Sequence, residues 1–204
     1  MLATRPALSV LLLAVLAGCA QTRMDAQWSA KDVPPGALKA ARVIVQCQAP
    51  SETEARICAD SLAADLRARG LDPRVGDPIP AGVSFDAQQL AGAARAAGAS
   101  AAVLSSLSVA AMTVQPAPTV SIGIGGGSWG GGGGFGGVSG SVATPVLAGS
   151  VNQSLAASTT VTLANTAKPI WSGRASSSAQ GTATQQIGEL SRATVEAMQA
   201  AGLF

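Results

Sequence analysis

The chain contains no histidine and no tyrosine, and aromatic residues make up only 3% of it. Without histidine there is no imidazole base for a nucleophilic triad, no imidazole ligand for zinc and no side chain that ordinarily titrates near neutral pH. The scarcity of aromatics leaves Ala, Val and Leu to build the core, within a hydrophobic content of 48%. Charged residues amount to 12% and are unevenly placed, with no Asp, Glu, Lys or Arg from Ala96 to Ala167. Such a run reads either as a Ser/Thr-rich sheet with a loop in it, or as a surface that meets lipid or another subunit, where charge is expensive. The abundance of Ser and Thr and the lack of girdle aromatics favour the sheet. Thirteen basic against eleven acidic residues leave no basic footprint for nucleic acid.

The long apolar run of a transmembrane helix is missing too. Ala7 to Leu16 (ALSVLLLAVL) is well short of the ~20 residues that span a bilayer. What is present is the anatomy of a signal peptide, with Arg5 in a short leading segment, an apolar middle, and small residues Ala17 and Gly18. Leu16-Ala17-Gly18-Cys19 reads as a lipobox, so residues 1–18 are expected to be removed and Cys19 to carry fatty acyl chains such as palmitate. One chain binds a membrane only marginally, at ~0.8 kcal/mol per buried methylene, and several together anchor firmly. Ala20 in place of an Asp after the cysteine favours the outer membrane, with the domain facing the periplasm. Residues 19–40 are expected to hold the lipidated cysteine and a tether running from Gln21 to Ala30. Residues 41–204 are long enough for one domain with a real core.

Within that domain Ala41 to Cys47 has a β-branched centre at Val43, Ile44 and Val45, as a buried strand would. Ser51 with Glu54 three residues on is a capping box, opening a helix to about Arg69 that Gly70 stops. Ile57, Leu62 and Leu66 form its apolar stripe. Leu71 to Val75 reads as a short strand and Gly76 to Pro80 as a loop. A second helix is expected over Phe85 to Ala97, capped by Ser84, and then a long strand over Ala99 to Val114. The order β-α-β-α-β predicts an α/β (α+β) sheet with helices packed on it. Val120, Ile122 and Ile124 alternate like a half-exposed strand, and Val138 to Val151 reads as a returning one. Between them Gly123 to Gly140 is mostly glycine and is expected to be a mobile loop, with Trp129 and Phe135 as its large side chains. Thr159 to Leu163 and Ile170 to Ser176 read as a C-terminal hairpin with Val161 and Leu163 on one face and Trp171 packing from the second strand. A last helix begins at Thr182 or Thr184, buries Ile187, Leu190, Thr194 and Met198, and stops at Gly202.

Cys47 and Cys58 remain once Cys19 is lipidated. In an oxidising envelope they are expected to pair, because Cys47 ends a strand and Cys58 lies about two turns into the helix that packs back over it. Their spacing is not that of a metal or redox motif, and no histidine completes a site. Gly125, Gly127 and Gly130 match G-x-G-x-x-G formally, but more glycine follows where a dinucleotide site needs a helix, and no lysine lies between Lys39 and Lys168 for a P-loop. Glu52, Glu54, Asp60 and Asp65 are read as a solvated helix face, with Asp65 and Arg69 spaced as an i,i+4 pair. No catalytic, metal or cofactor set is expected.

A lipobox at Cys19, the glycine-rich Gly123 to Gly140, and the closing strand Trp171-Ser172-Gly173-Arg174-Ala175-Ser176 followed by a terminal helix together resemble a family of bacterial envelope lipoproteins with a domain of unknown function. The resemblance implies an envelope lipoprotein with a small α/β domain and brings no activity. The expected function is therefore a non-enzymatic interaction or structural module, anchored through Cys19 and contacting envelope proteins or itself, with Trp129 and Phe135 as possible partner or lipid contacts. The alternative is a subunit of an oligomeric pore or secretion complex that uses the uncharged hairpin 118–151.

Overall fold

The structure, a computed structural model, describes residues 22–115, 119–122, 142–145 and 150–204. The chain divides into two compact units, one of Met1–Ala111 with Gln153–Phe204 and one of Met112–Asn152. Cys19, Trp129, Phe135, Ile124 and the glycine tract Gly123 to Gly140 lie outside the described residues.

The larger unit runs β1 (Arg23–Ser29), β2 (Arg42–Ala49), α1 (Glu52–Ala68), β3 (Asp72–Val75), β4 (Ile79–Pro80), α2 (Ala87–Ala96) and β5 (Ala101–Gln115). The chain comes back as β8 (Ser150–Leu163), β9 (Pro169–Ser176) and α3 (Ala183–Ala200). Seven strands form one mixed sheet in the order β1-β9-β8-β5-β2-β3, with β4 also on β2. β2 is parallel to β3, β4 and β5, while β9 is antiparallel to both β8 and β1. The expected α/β sheet with helices packed on it is the fold observed.

β2 lies in the middle of the parallel half and is covered on both faces, which is why Val43, Ile44 and Val45 form an unbroken apolar run. Val43, Val45 and Cys47 point into the main core with Leu62 and Leu66 of α1 and Leu190 and Met198 of α3. Ile44 points the other way, into a smaller cluster with Leu90 and Ala94 of α2 and with Ala102. Each fully buried Leu or Met side chain here contributes about 1.5–3 kcal/mol. The ends of α1 follow its sequence signals. Ser51 accepts from the Glu54 amide at 3.2 Å and donates to the Glu54 carboxylate at 2.8 Å, and Gly70 at φ +85° closes the helix.

Three local expectations change. The segment expected as a tether carries β1, which is hydrogen-bonded to the free edge of β9 from Arg23↔Ser176 to Ser29↔Trp171. Residues beyond it are fixed as well, since the Gly36 and Leu38 amides donate to the carbonyls of Gly202 and Leu203. The loop expected over Gly76 to Pro80 contains β4, two residues that continue the ladder beyond β3. α2 starts at Asp86 rather than Ser84, because Gln89 lies where its side chain returns a bond to the Asp86 amide at 2.9 Å. At α3, Thr182 forms the same reciprocal box with Gln185.

The Trp-x-Gly spacing of the closing strand has a packing reason. Trp171 and Gly173 share one face of β9, and the fully buried indole lies over Gly173. A Cβ at Gly173 would meet the Trp171 ring at 2.5 Å and the Met24 methyl at 2.8 Å. In the smaller unit the described residues form β6 (Thr119–Ile122) and β7 (Val142–Pro145), an antiparallel pair running from Thr119↔Pro145 to Ile122↔Val142. β7 thus occupies part of the expected returning stretch Val138 to Val151, and β8 begins at Ser150, near its end.

Candidate functional site

One end of the sheet gathers features that are far apart in sequence. Arg23 of β1 stands opposite Ser176 of β9, which stands opposite Ala156 of β8. Across the next strand Ser154 Oγ reaches the Ala111 carbonyl of β5 at 3.5 Å, and Thr159 Oγ1 donates to Ser105 Oγ at 2.9 Å. β5 and β8 therefore run in opposite directions, and β5 and β2 finish where β8 and β1 start. We call this the leading end of the sheet. α1, α2 and α3 all begin on it, following β2, β4 and β9 respectively.

Gln48 stitches the leading end together, and sequence reasoning gave it no role. Its amide nitrogen donates to the carbonyls of Pro80 and Val83, both at 2.8 Å, and its amide oxygen accepts from Ser106 Oγ at 2.7 Å. One side chain thus holds the loop after β4 against the ends of β2 and β5. Beside it lies a hollow of about 380 Å³ lined by Ala49, Pro50, Pro78, Ile79, Pro80 and Ala81, with Glu52 as its one charge. Val83 and Val109 are exposed by 44% and 41%, and the side chains from Ser108 to Met112 are exposed and uncharged.

Thr22, the first described residue, donates from Oγ1 to the Glu189 carboxylate of α3 at 2.8 Å. Thr22 thus lies on the leading end, three residues after Cys19 in sequence. Cys47 and Cys58 are disulfide-bonded with Cα atoms 6.0 Å apart, which ties the end of β2 to α1. Both are buried, as a structural bridge would be.

The carboxylates expected on the first helix do not converge. Glu52 pairs with Arg56 at 2.8 Å on the surface. Asp65 faces α3 instead of forming the expected Arg69 ion pair. Desolvation pushes its carboxyl above the ordinary Asp value, Arg192 and Arg69 pull it down, and Glu196 pushes it up. Among the described residues no three His, Cys, Asp or Glu side chains stand close enough to hold a metal ion. No described helix is long and apolar enough to cross a membrane. The sequence also holds a formal G-x-S-x-G match at Gly126 to Gly130, outside the described residues, and the chain offers Ser128 no histidine as a base.

The opposite end of the sheet is basic. Arg42 bonds Asp72 at 2.8 Å, and Arg74 stands 3.8 Å from it. The Arg42 bond, with Arg74 and Arg67 nearby, holds the Asp72 carboxyl below its ordinary value. Arg95 caps the Ala164 carbonyl, and Lys168 stands 3.9 Å from Asp32.

No protein-family model and no curated protein matches the sequence. Solved structures similar to the chain include those of two proteins. One is the PelC dodecamer from Paraburkholderia phytofirmans, at 13% identity and a TM-score of 0.45, covering 85% of this chain and 96% of that one. A single-residue variant of that dodecamer in another crystal form gives 0.43 at the same identity and coverage. The other is lipoprotein GNA1162 from Neisseria meningitidis, at 14% identity and 0.38, covering 78% of this chain and 99% of that one.

Proposed function

We propose that this chain is a lipid-anchored, non-catalytic interaction module on the periplasmic side of the bacterial outer membrane. The lipobox ending at Cys19 supports the anchor. The observation that carries the interaction role is the division of the chain. The segment 112–152 is a unit separate from the body, it contains no charged residue, and it is carried on β5 and β8, which are neighbours in the sheet. A body with its own core, disulfide and capped helices, joined in sequence to a separate uncharged unit, suits interaction with another envelope protein or with a second copy.

Removing residues 123–140 tests this. The expected result is a body with unchanged thermal unfolding that no longer crosslinks to envelope proteins or to itself. Crosslinking at the full level without those residues contradicts the reading.

A second reading has one observation in its favour. β6 and β7 pair antiparallel within the uncharged segment, as a membrane-inserting hairpin would. In this reading several copies form a pore. A discrete large oligomer in detergent, together with liposome leakage that disappears on removing 123–140, would select it. A monomer with and without detergent would retire it.

A further inference from the structure

We infer that β1 is a releasable part of the membrane tether, docked on the edge of β9 and freed as a unit, so that the body has a short and a long reach from its anchor. The inference rests on the lipid anchor proposed at Cys19 and adds a conformational device to it. β1 holds Arg23–Ser29 and is paired on one side only, at the edge of the sheet. Of its seven side chains only Met24 packs against the main core, and the other six are exposed. Its register slips between Met24 and Ala26. The polar contacts that accompany it lie on the surface. Arg23 and Ser176 donate to the Asp25 carboxylate at 3.1 and 3.0 Å, and Thr22 donates to Glu189 at 2.8 Å. Exposed contacts of this kind add little. A backbone ladder and one methionine therefore hold β1, and segments with so few buried apolar contacts open below the free energy of global unfolding.

Release uncovers the Trp171 ring beneath Met24. The Trp171 indole N–H is buried and has no hydrogen-bond partner among the described residues. The ring carbon Cζ2, two bonds from that nitrogen, and the Met24 methyl crowd the position of a Cβ at Gly173, at 2.7 and 2.8 Å. Lifting Met24 opens this side of the ring to water, and hydrating the unpaired donor offsets part of the apolar exposure. Past β1 the chain is fixed again. Ala30 donates to the Ile170 carbonyl at 2.9 Å, and Pro34 and Pro35 have no N–H with which to extend the ladder. The Gly36 and Leu38 amides donate to Gly202 and Leu203 at 2.7 and 2.8 Å, and Leu38 is fully buried. Release thus stops at Gly36. With β1 docked, only Ala20 and Gln21 separate Cys19 from Thr22, and three Cα steps of ~3.8 Å hold the two within about 11 Å. With β1 released, the 17 residues from Ala20 to Gly36 are free, and they span up to about 60 Å.

Hydrogen exchange of the soluble Cys19→Ser chain lacking residues 1–18 tests the release apart from the anchor. The amides of β1 and the β9 amides bonded to them should exchange at least tenfold faster than the β9 amides bonded to β8, with one shared denaturant dependence. Met24→Ala should speed that exchange several-fold and leave β2 and β5 unchanged. Trp28 and Ser172 are partners in register, and a disulfide between Trp28→Cys and Ser172→Cys should slow the exchange at least tenfold relative to the same variant with that pair reduced. A gradient of rates falling from the strand ends, or exchange of β1 only with the whole body, overturns the inference. On phosphatidylethanolamine–phosphatidylglycerol vesicles, trypsin should cut the mature lipidated Lys31→Gln chain after Arg23 and free a body beginning at Met24, and the disulfide should prevent it. Resistance without the disulfide also overturns the inference. A mature chain that does not float with the vesicles overturns the anchor instead, and the exchange pattern of the soluble chain still decides whether β1 is released.

Discussion

At the leading end of the sheet Glu52 and Glu54 occupy the first turn of α1 and Asp86 caps α2, whereas at the opposite end Arg67 closes α1 and Arg95 closes α2. Each sign stands where the helix dipole favours it, acids over exposed amides and cations over exposed carbonyls. Part of the charge difference between the ends is thus a consequence of parallel β-α units that start helices on one side, whereas Arg42, Arg74 and Lys168 lie outside the helices. It teaches that Arg67 and Arg95 are accounted for by helix stability, and that the informative end is the one with Thr22, the exposed Val83 and Val109 and the hollow beside Gln48.

The two ends also differ in how they are held, and this can be tested. The largest effect is expected from replacing Cys47 and Cys58 together by Ala. The bridge closes a loop with a sequence separation of 11, and losing it should cost about 3 kcal/mol. Hydrogen exchange should speed up at the end of β2 and the start of α1 more than around Arg42 and Asp72, and uniform loosening would break the distinction. Gly173→Ala forces the Trp171 ring and the Met24 methyl to move. It should cost about 2 kcal/mol in denaturant unfolding, as overpacking does.

Smaller effects come from the helix ends. Asp86→Ala removes the capping box of α2 at the leading end and should cost about 1 kcal/mol in a thermal melt. Arg95→Gln at the other end of the same helix should cost less than Asp86→Ala, and added salt should reduce the Arg95→Gln cost further. The smallest effects are those of pH. Asp72 has its pKa lowered, chiefly by the Arg42 bond. Its contribution is therefore present above the ordinary Asp value and is lost as pH falls through the folded one. Asp65 has its pKa raised, chiefly by desolvation. Its ionised form therefore opposes folding, fully above the folded value and not at all below the ordinary one. Asp65→Asn should raise the melting temperature slightly near neutral pH and lose that gain in acid, while Asp72→Asn should do the reverse. Melts of both variants across that range decide the signs.

Much of the architecture was legible because its signals are local. Val43, Ile44 and Val45 mark a strand buried on both faces, Ser51 with Glu54 and Gly70 bracket α1, and Thr182 and Gly202 bracket α3. The spacing of Cys47 and Cys58 on a strand and the following helix was enough to pair them. What escaped were features made by distant partners. β1 reads RMDAQWS, without alternation, and is a strand only because β9 offers it an edge about 150 residues later. Gln48 has no sequence signature, and its role appears only when Pro80, Val83 and Ser106 meet around it. The leading end as a surface joins residues near positions 22, 83, 109 and 176, which no periodicity connects. Asp86 was hidden behind Ser84, an equally good cap whose helix lacks the returning Gln89.

The most direct measurement is the mass of the N-terminal peptide of the mature protein isolated from the envelope. A peptide beginning at Cys19 and carrying a diacylglyceryl group and an amide-linked fatty acid is the result expected. A peptide that retains residues 1–18, or one that begins at an unmodified residue, would contradict the lipid-anchored reading of this protein.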